Sequence, residues 1–349
     1  FPTIEEDEPP YRLLCNEYPA AKGGGEMLDV VAWGELLIDF TTQSTDESGY
    51  PTMAAHPGGA PANFLAALAK FGAKTALAGK VGADTFGRML TGTLQSLGIE
   101  TRGIVASPEV FTTLAFVTLD QHGDREFAFA RKPGADTQIT FAELDLSLID
   151  ETRIFHFGTL SLTDEPARSA TRQAVAYAKE RGKLITYDPN LRKPLWRDLD
   201  DAREQLLWGL GQADVVKISD EEVEFLFGLS PEEGAERILR EYGVKLVFVT
   251  CGPEGCVFRN PRAWGRVPGL SGLQVVDTTG AGDIFGGSAV WRLLSSGKAP
   301  EELDGAELRE ITSFACASAG LSTTRPGGIS SVPAYEEIME RLSAPQKME

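Results

Sequence analysis

Basic side chains are the first shortage. Lys and Arg number 33 against 51 Asp and Glu, which leaves a formal net charge of −18. A surface of that sign repels a phosphate backbone and excludes a nucleic-acid partner. Histidine is scarcer still: His56, His122 and His156 are the 3 in 349 residues, too scattered to suggest a metal cluster. The four cysteines, Cys15, Cys251, Cys256 and Cys316, fit neither a zinc spacing nor Cys-x-x-Cys, so reduced thiols in a cytoplasmic setting are expected. No apolar run reaches the roughly 18 residues of a membrane span, and the acidic Glu5-Glu6-Asp7-Glu8 has the wrong charge for a signal peptide. Two nucleotide signatures are missing as well. Gly79-Lys80, Gly182-Lys183 and Gly297-Lys298 are not followed by Ser or Thr, so no Walker-type phosphate loop is encoded. No Gly-x-Gly-x-x-Gly follows the first apolar stretch, which removes the dinucleotide fingerprint.

What remains is an ordinary globular composition, 42% hydrophobic and 24% charged, on a chain long enough for a large core. Residues 1–26, with Pro and Gly clusters, are expected to form a tail of no assigned role. Leu28–Gly34 reads as a buried strand. Pro57-Gly58-Gly59-Ala60-Pro61-Ala62-Asn63 opens an alanine-rich helix that Gly72 stops. The stretch 84–97 is helical, with Phe86, Met89, Leu90, Leu94 and Leu97 at core spacing. Residues 112–119 and 126–131 are β-branched and aromatic around a turn at Gln121-His122-Gly123-Asp124, a hairpin signal. From 140 onward strands (153–158, 183–188, 214–218, 244–250) alternate with helices (165–181, 200–211, 219–228, 231–241), which implies right-handed crossovers and a mostly parallel sheet. The expected organisation is one α/β domain over 27–349, a three-layer α/β/α arrangement with a small β lid inserted from about 41–57 and 103–135.

One stretch stands out, Val275-Val276-Asp277-Thr278-Thr279-Gly280-Ala281-Gly282-Asp283 leading into Ile284-Phe285-Gly286-Gly287. It reads as strand, tight turn and helix. Small residues let the backbone approach a ligand, and the N–H groups and positive dipole end of the helix suit an anion. A carboxylate, Asp283, inside such a nest repels phosphate unless it is there to take a proton from the attacking group.

Gly280-Ala281-Gly282-Asp283 within Asp-Thr-Thr-Gly-Ala-Gly-Asp resembles the C-terminal signature of the ribokinase-like (PfkB) carbohydrate kinases. Residues 57–63, followed by Gly79-Lys80-Val81-Gly82-Ala83-Asp84-Thr85-Phe86-Gly87, resemble the family's other signature. The likeness runs from about 28 to 340. Within the family, Tyr187-Asp188-Pro189-Asn190-Leu191-Arg192, Lys217-Ile218-Ser219-Asp220-Glu221-Glu222 and Val249-Thr250-Cys251-Gly252-Pro253-Glu254-Gly255-Cys256 are most similar to fructokinases.

The resemblance implies a ribokinase-like fold and transfer of the γ-phosphoryl group of ATP, with Mg2+ and K+, to a primary hydroxyl, D-fructose at O6 being the first choice. Asp283 matches the catalytic base, and Gly280, Ala281 and Gly282 match the anion hole. Asp39, Gly58, Gly59 and Asn63 match the sugar site, with Asn63 also readable as a helix-capping residue. Arg131, at the end of the hairpin, reads as a sugar contact or a solvated lid charge. Asn190 and Glu222 match positions holding magnesium through water, with Lys217 and Arg192 adding positive charge, while Glu222 alternatively is a helix-face charge. Thr250, Gly252 and Gly255 match the nucleotide pocket. Ala315, Ala319 and Val276 suit an adenine or the core equally. Asp277, Thr279, Gly328 and Ser331 match a monovalent-cation loop, or Asp277 only caps its turn. His156, flanked by Phe155 and Phe157, reads as a core histidine. Two alternatives stay open: the same chemistry on 2-keto-3-deoxygluconate, whose carboxylate needs a cation such as Arg131, and a catalytically idle regulatory relative. Exposed lid edges suggest a homodimer through the lid.

Overall fold

The computed structural model describes residues 27–119 and 125–343. The N-terminal stretch 1–26 and the expected turn at 121–124 lie outside the described residues. Numbered along the chain, the strands are β1 (Leu28–Trp33), β2 (Leu37–Thr45), β3 (Pro51–Gly58), β4 (Thr75–Gly82), β5 (Glu100–Ser107), β6 (Leu114–Leu119) and β7 (Arg125–Ala130). They continue with β8 (Thr152–Gly158), β9 (Leu184–Asp188), β10 (Val215–Ser219), β11 (Leu246–Thr250), β12 (Cys256–Arg259) and β13 (Trp264–Val267). The helices are α1 (Ala60–Lys70), α2 (Thr85–Ser96), α3 (Leu146–Asp150), α4 (Ala167–Glu180) and α5 (Leu199–Leu210). After them come α6 (Asp220–Phe227), α7 (Pro231–Tyr242), α8 (Ala281–Ser296), α9 (Gly305–Ser322) and α10 (Tyr335–Ser343).

Nine strands form one sheet in the order β13-β12-β11-β10-β9-β8-β1-β4-β5, parallel from β11 to β5 and antiparallel at the β12-β13 edge. Its central strands are apolar on both faces, as a sheet covered on both sides must be. On one face Leu148, Ala174, Leu206, Val223 and Ile238 from α3 to α7 close over it. On the other, Phe64, Leu68, Leu90, Ile284 and Phe314 bring in α1, α2, α8 and α9. A second sheet, ordered β3-β2-β6-β7, has parallel pairing only between β2 and β6. It stands over the carboxyl ends of the parallel strands, where an open α/β sheet binds its ligands. The ring of Phe40 stacks on Phe116 at 5.3 Å and meets the edge of Phe86 at 5.6 Å, fixing this small sheet to α2.

Three expectations need correction. The small sheet begins at Leu37 rather than 41, and 103–107 belong to β5 in the large sheet, because their alternation continues the pairing with β4. The pair Val275-Val276 is no strand: it is irregular and 59% and 60% exposed, tied down by amides of Val276 and Asp277 that donate to the Thr323 carbonyl. A two-residue apolar run carries too little pairing to make a strand. On α2, Leu90 and Leu94 are buried but Met89, and Leu97 just past the helix end, face outward.

Helix α8 positions the site, and it lies close on α1 because it presents glycine there. A Cβ on Gly287 would come within 2.3 Å of the Phe64 carbonyl oxygen. Gly287→Ala is therefore expected to force the two helices apart and to cost about 2–3 kcal/mol of stability, read from the midpoint of a urea titration. An unchanged midpoint would show that the contact is loose.

Candidate active site

A cleft of about 700 Å3 opens between the small sheet and the carboxyl ends of the large one, lined by residues from both. Its parts arrive from the ends of successive strands. Glu35 follows β1, Leu160 follows β8, Asn190 to Pro194 follow β9, and Ser219, Glu221 and Glu222 start α6 after β10. Asp39 and Leu37 come from β2, Val117 and Phe129 from the small sheet's hairpin, and Thr278 to Gly280 with Asp283 from the turn into α8.

The turn is built as its glycines require. Gly280 takes a left-handed φ of 74°, and a Cβ there would lie 2.9 Å from Gly328 Cα and 3.0 Å from Asn63 Nδ2. The Ala281 amide donates to the Thr278 carbonyl, so Gly280, Gly282 and Asp283 supply the N–H groups left to a ligand. Asp283 is buried in the first turn of α8 and accepts a hydrogen bond from Asn63 Nδ2 at 2.8 Å. Burial raises its carboxyl above the usual range, while Lys217, the Asn63 amide and Arg192 pull it down and Glu222 pushes it up. The Asn63 side-chain oxygen, Oδ1, is buried and has no hydrogen-bond partner among the described residues.

Asp39 faces the same cleft. Burial pushes its carboxyl up to about 7, against Arg192 and with Asp283 and Asp277 adding to the rise. Gly58 makes room for it, since a Cβ would meet Asp39 Oδ2 at 2.0 Å. Gly59, at φ 110°, would likewise strike the Glu35 carbonyl oxygen at 2.5 Å. These two glycines thus shape the Asp39 end. Glu35 itself, which the sequence reading passed over, is a buried carboxylate that accepts from the Ala60 amide at 2.9 Å. Burial pushes it up to about 7, opposed by backbone hydrogen bonds at Glu35 and Ala60. Its only signal was an acid set between the apolar residues of β1 and Leu36-Leu37.

Behind the nest, Asn190 has a φ of 45°, in the left-handed region that asparagine enters more readily than most residues other than glycine. Glu222 is buried rather than a solvated helix charge. Its Oε2 accepts from the Ser219 amide at 2.8 Å and its Oε1 from the Leu191 amide at 2.6 Å, so it caps α6 and holds the 190–192 turn. Lys217 reaches Asp188 at 3.0 Å rather than opening to solvent. Asp277 Oδ1 accepts from the amide and hydroxyl of Thr279, and its Oδ2 accepts from the Gly327 amide at 2.8 Å. Asp277 thus caps its turn and also clamps the 325–331 loop, where Ser331 donates back to the Gly328 carbonyl. Gly328 is pressed on the site as well, for a Cβ would lie 2.3 Å from Asn63 Oδ1.

Other expected residues stand elsewhere. Arg131, 4% exposed, donates to Asp136, to Thr163 Oγ1 and to the Leu160 carbonyl, so it ties the base of the small sheet to the body instead of reaching a ligand. Thr250, Gly252 and Gly255 lie beyond β10 in the β11-β12 turn and do not line the cleft. Gly255 is needed for chain crossing, since a Cβ would meet the Val267 carbonyl oxygen at 2.0 Å. Ala315 packs in the core with Ala319 against it, whereas Val276 is exposed and joins no core cluster. His156 is a satisfied core residue, stacked on Phe64 at 3.8 Å with Nδ1 at 2.9 Å from Thr186 Oγ1, its pKa driven to about 3 by burial.

The oxygen donors in the cleft suit a hard cation carried in by a ligand rather than a closed protein site. Asn190 and the Glu221-Glu222 carboxylates are the candidates, and among the described residues no group of three or more His, Cys, Asp or Glu could hold a metal. Such sparse, oxygen-only provision is what magnesium bound to phosphates requires.

Comparison with known proteins agrees with this geometry. The profile of the pfkB family carbohydrate kinases matches residues 27–335. Fructokinase-2 of Solanum lycopersicum is 40% identical over 326 residues, covering 93% of this chain and 98% of its own. A fructokinase from Xylella fastidiosa, solved with bound ATP, superposes with a TM-score of 0.83 at 29% identity, over 90% of this chain and 98% of that one. A Vibrio cholerae fructokinase solved with fructose, ADP and calcium has a TM-score of 0.80 at 31% identity, over 91% and 99% of the two chains.

The electrostatics of Asp39 can be read without any ligand. Carbon-detected NMR of the labelled carboxylates should place its midpoint near pH 7, and Arg192→Ala, by removing a cation that favours the charged form, should move it higher. A midpoint near pH 4 would show that solvent reaches the group freely.

Proposed function

The chain belongs to the pfkB family of carbohydrate kinases, and from that premise we propose that it transfers the γ-phosphoryl group of ATP to the 6-hydroxyl of D-fructose. The observation that carries this reading is the convergence of Asp283, Asn63, Asp39 and the N-terminus of α8 on one cleft. In this reading the sugar lies between Asp39 and Asn63, with the Asp39 carboxylate accepting from its hydroxyls. Asp283 takes the proton of the attacking oxygen as the bond to phosphorus forms, with Asn63 Nδ2 keeping the carboxylate charged and aimed. The N–H groups of Gly280 and Gly282 meet the transferring phosphoryl group, and the small sheet acts as a lid that excludes water. The single-domain arrangement with this lid, and a cytoplasmic setting, belong to the same proposal.

Asn190 and Glu222 are the residues that would hold magnesium, through water, and the ion supplies charge neutralisation on the phosphates when bound. Potassium is proposed for the loop pair 277–279 and 325–331, which Asp277 joins through Gly327. The nucleotide base is proposed beside the β11-β12 turn with Thr250, Gly252 and Gly255. A homodimer through the lid rests on the edges of β3 and β7, which have no further strand beside them among the described residues.

Fructose is favoured over 2-keto-3-deoxygluconate by the fructokinases among the similar proteins, one of them solved with fructose, while Arg131, the cation considered for an acid sugar, is buried and bonded to Asp136, Thr163 and Leu160. The intact Asp283-Asn63 pair speaks against an idle relative.

A coupled assay of ADP formation should show fructose turned over faster than ketodeoxygluconate, ribose, glucose or adenosine, with higher rates in potassium than in sodium. Asp283→Asn should lower kcat by about 1,000-fold or more, within the range of a lost general base. Full turnover by that variant would end the proposal. Asn63→Ala should move the acidic limb of kcat/KM to higher pH, because the amide favours the charged form of Asp283 and its loss raises that pKa. An unmoved limb would show that the hydrogen bond does not tune the base.

A further inference from the structure

Beneath the first turn of α8 lies a charge that the mechanism above does not use. Lys217 projects from the middle of β10, between the apolar Val216 and Ile218, and its side chain is 12% exposed with Asp188 Oδ2 at 3.0 Å. Burying such a pair costs desolvation, and an apolar pair in its place would often be no less stable. Stability alone therefore does not account for it. Its position does. A Cβ on Gly282 would come within 2.9 Å of Lys217 Nζ, so the ammonium occupies the space that any other residue at 282 would fill. Asp283 and Glu222 are the other charges that act on it, and with Asp188 they hold the ammonium in its charged form against burial.

Resting on the kinase reading, we propose that Lys217 is a positioning residue for phosphoryl transfer. Its ammonium, fixed by Asp188 under Gly282, gives the α8 nest a permanent positive charge that acts on the phosphoryl group and on the Asp283 carboxylate together. The helix start offers only partial charges, and a carboxylate beside it works against an anion. The Lys217-Asp188 pair sets its positive member directly below the turn and so offsets that carboxylate in part without occupying the cleft. Gly282 then has two duties, close approach to the phosphoryl group from above and to the ammonium from below. Asp188 is the anchor, itself placed by the sharp turn in which the Asn190 amide donates to Asp188 Oδ1 at 3.2 Å.

The test compares Lys217→Met, Asp188→Asn and the double variant in the full chain, with kcat, fructose KM and thermal midpoint measured for each. Lys217→Met leaves a buried carboxylate unpaired, so its midpoint should fall, and the double variant should restore it. The expected result is that kcat falls about 100-fold in Lys217→Met, the loss typical of one electrostatic contact to a developing charge. That loss should persist in the thermally restored double variant, with fructose KM changed by less than about threefold. Asp188→Asn alone is expected to lose far less. Recovery of kcat together with the midpoint in the double variant would overturn the proposal and leave Lys217 a structural partner. A loss in Asp188→Asn as large as in the double variant would also overturn it, by moving the requirement to Asp188. A wild-type chain that turns over no sugar would instead defeat the kinase reading itself.

Discussion

The architecture depends on keeping one carboxylate ionised and aimed where it is least comfortable. Asp283 sits buried in the first turn of a helix that also has to receive an anion. Burial alone protonates such a group, and a protonated acid cannot take a proton. Three features oppose that. Asn63 donates to the carboxylate from α1, the helix start favours negative charge, and Lys217 lies under the turn. Each is delivered by a different element, so α1, α8 and β10 must be held in mutual register to within fractions of an ångström. The glycines at 280, 282, 287 and 328 are what allow that proximity, because a Cβ at any of them would meet Asn63, Gly328, Lys217 or Phe64 at 3.0 Å or less.

The same logic explains the rest of the cleft. Asp39 and Glu35 are acids at one end of the cleft, both pushed up to about 7 by burial, one seated against Gly58 and the other bonded to the Ala60 amide. Glu222 accepts from backbone amides with both oxygens and so holds the Asn190 turn in its left-handed shape. Arg131 does similar work for the small sheet, binding its base to residues 160–163. Much of what looks like a ligand shell is therefore a scaffold of buried polar groups, each satisfied by another, with the cleft left to the few that are not.

Most of the fold was legible in the sequence. Alternation of apolar strands and amphipathic helices from 140 onward, helix-stopping glycines and the nest motif put nearly every element within a few residues of its place. The misses have physical causes. Val275-Val276 looked like a strand by composition, but an apolar pair with no partner strand stays irregular and exposed. The small sheet's start at Leu37 was hidden because the apolar run from Glu35 continues across the boundary between the two sheets. Within the site, motif residues came together where adjacency in space follows from strand order, as for Asp39, Asn63 and Asp283. Side-chain direction was not legible: nothing in the sequence says that Arg131 turns inward to Asp136 or that Lys217 turns to Asp188. Glu35 was invisible because a lone acid after a strand has no signature.

The central claim is that Asp283 faces the attacking hydroxyl while the backbone beside it faces the phosphate. A structure of the protein with fructose and a non-hydrolysable ATP analogue tests it most directly. The account predicts the fructose O6 within hydrogen-bond distance of an Asp283 oxygen, and the terminal phosphate over the N–H groups of Gly280 and Gly282. A sugar bound with no hydroxyl near Asp283, or a terminal phosphate seated away from the start of α8, would contradict it.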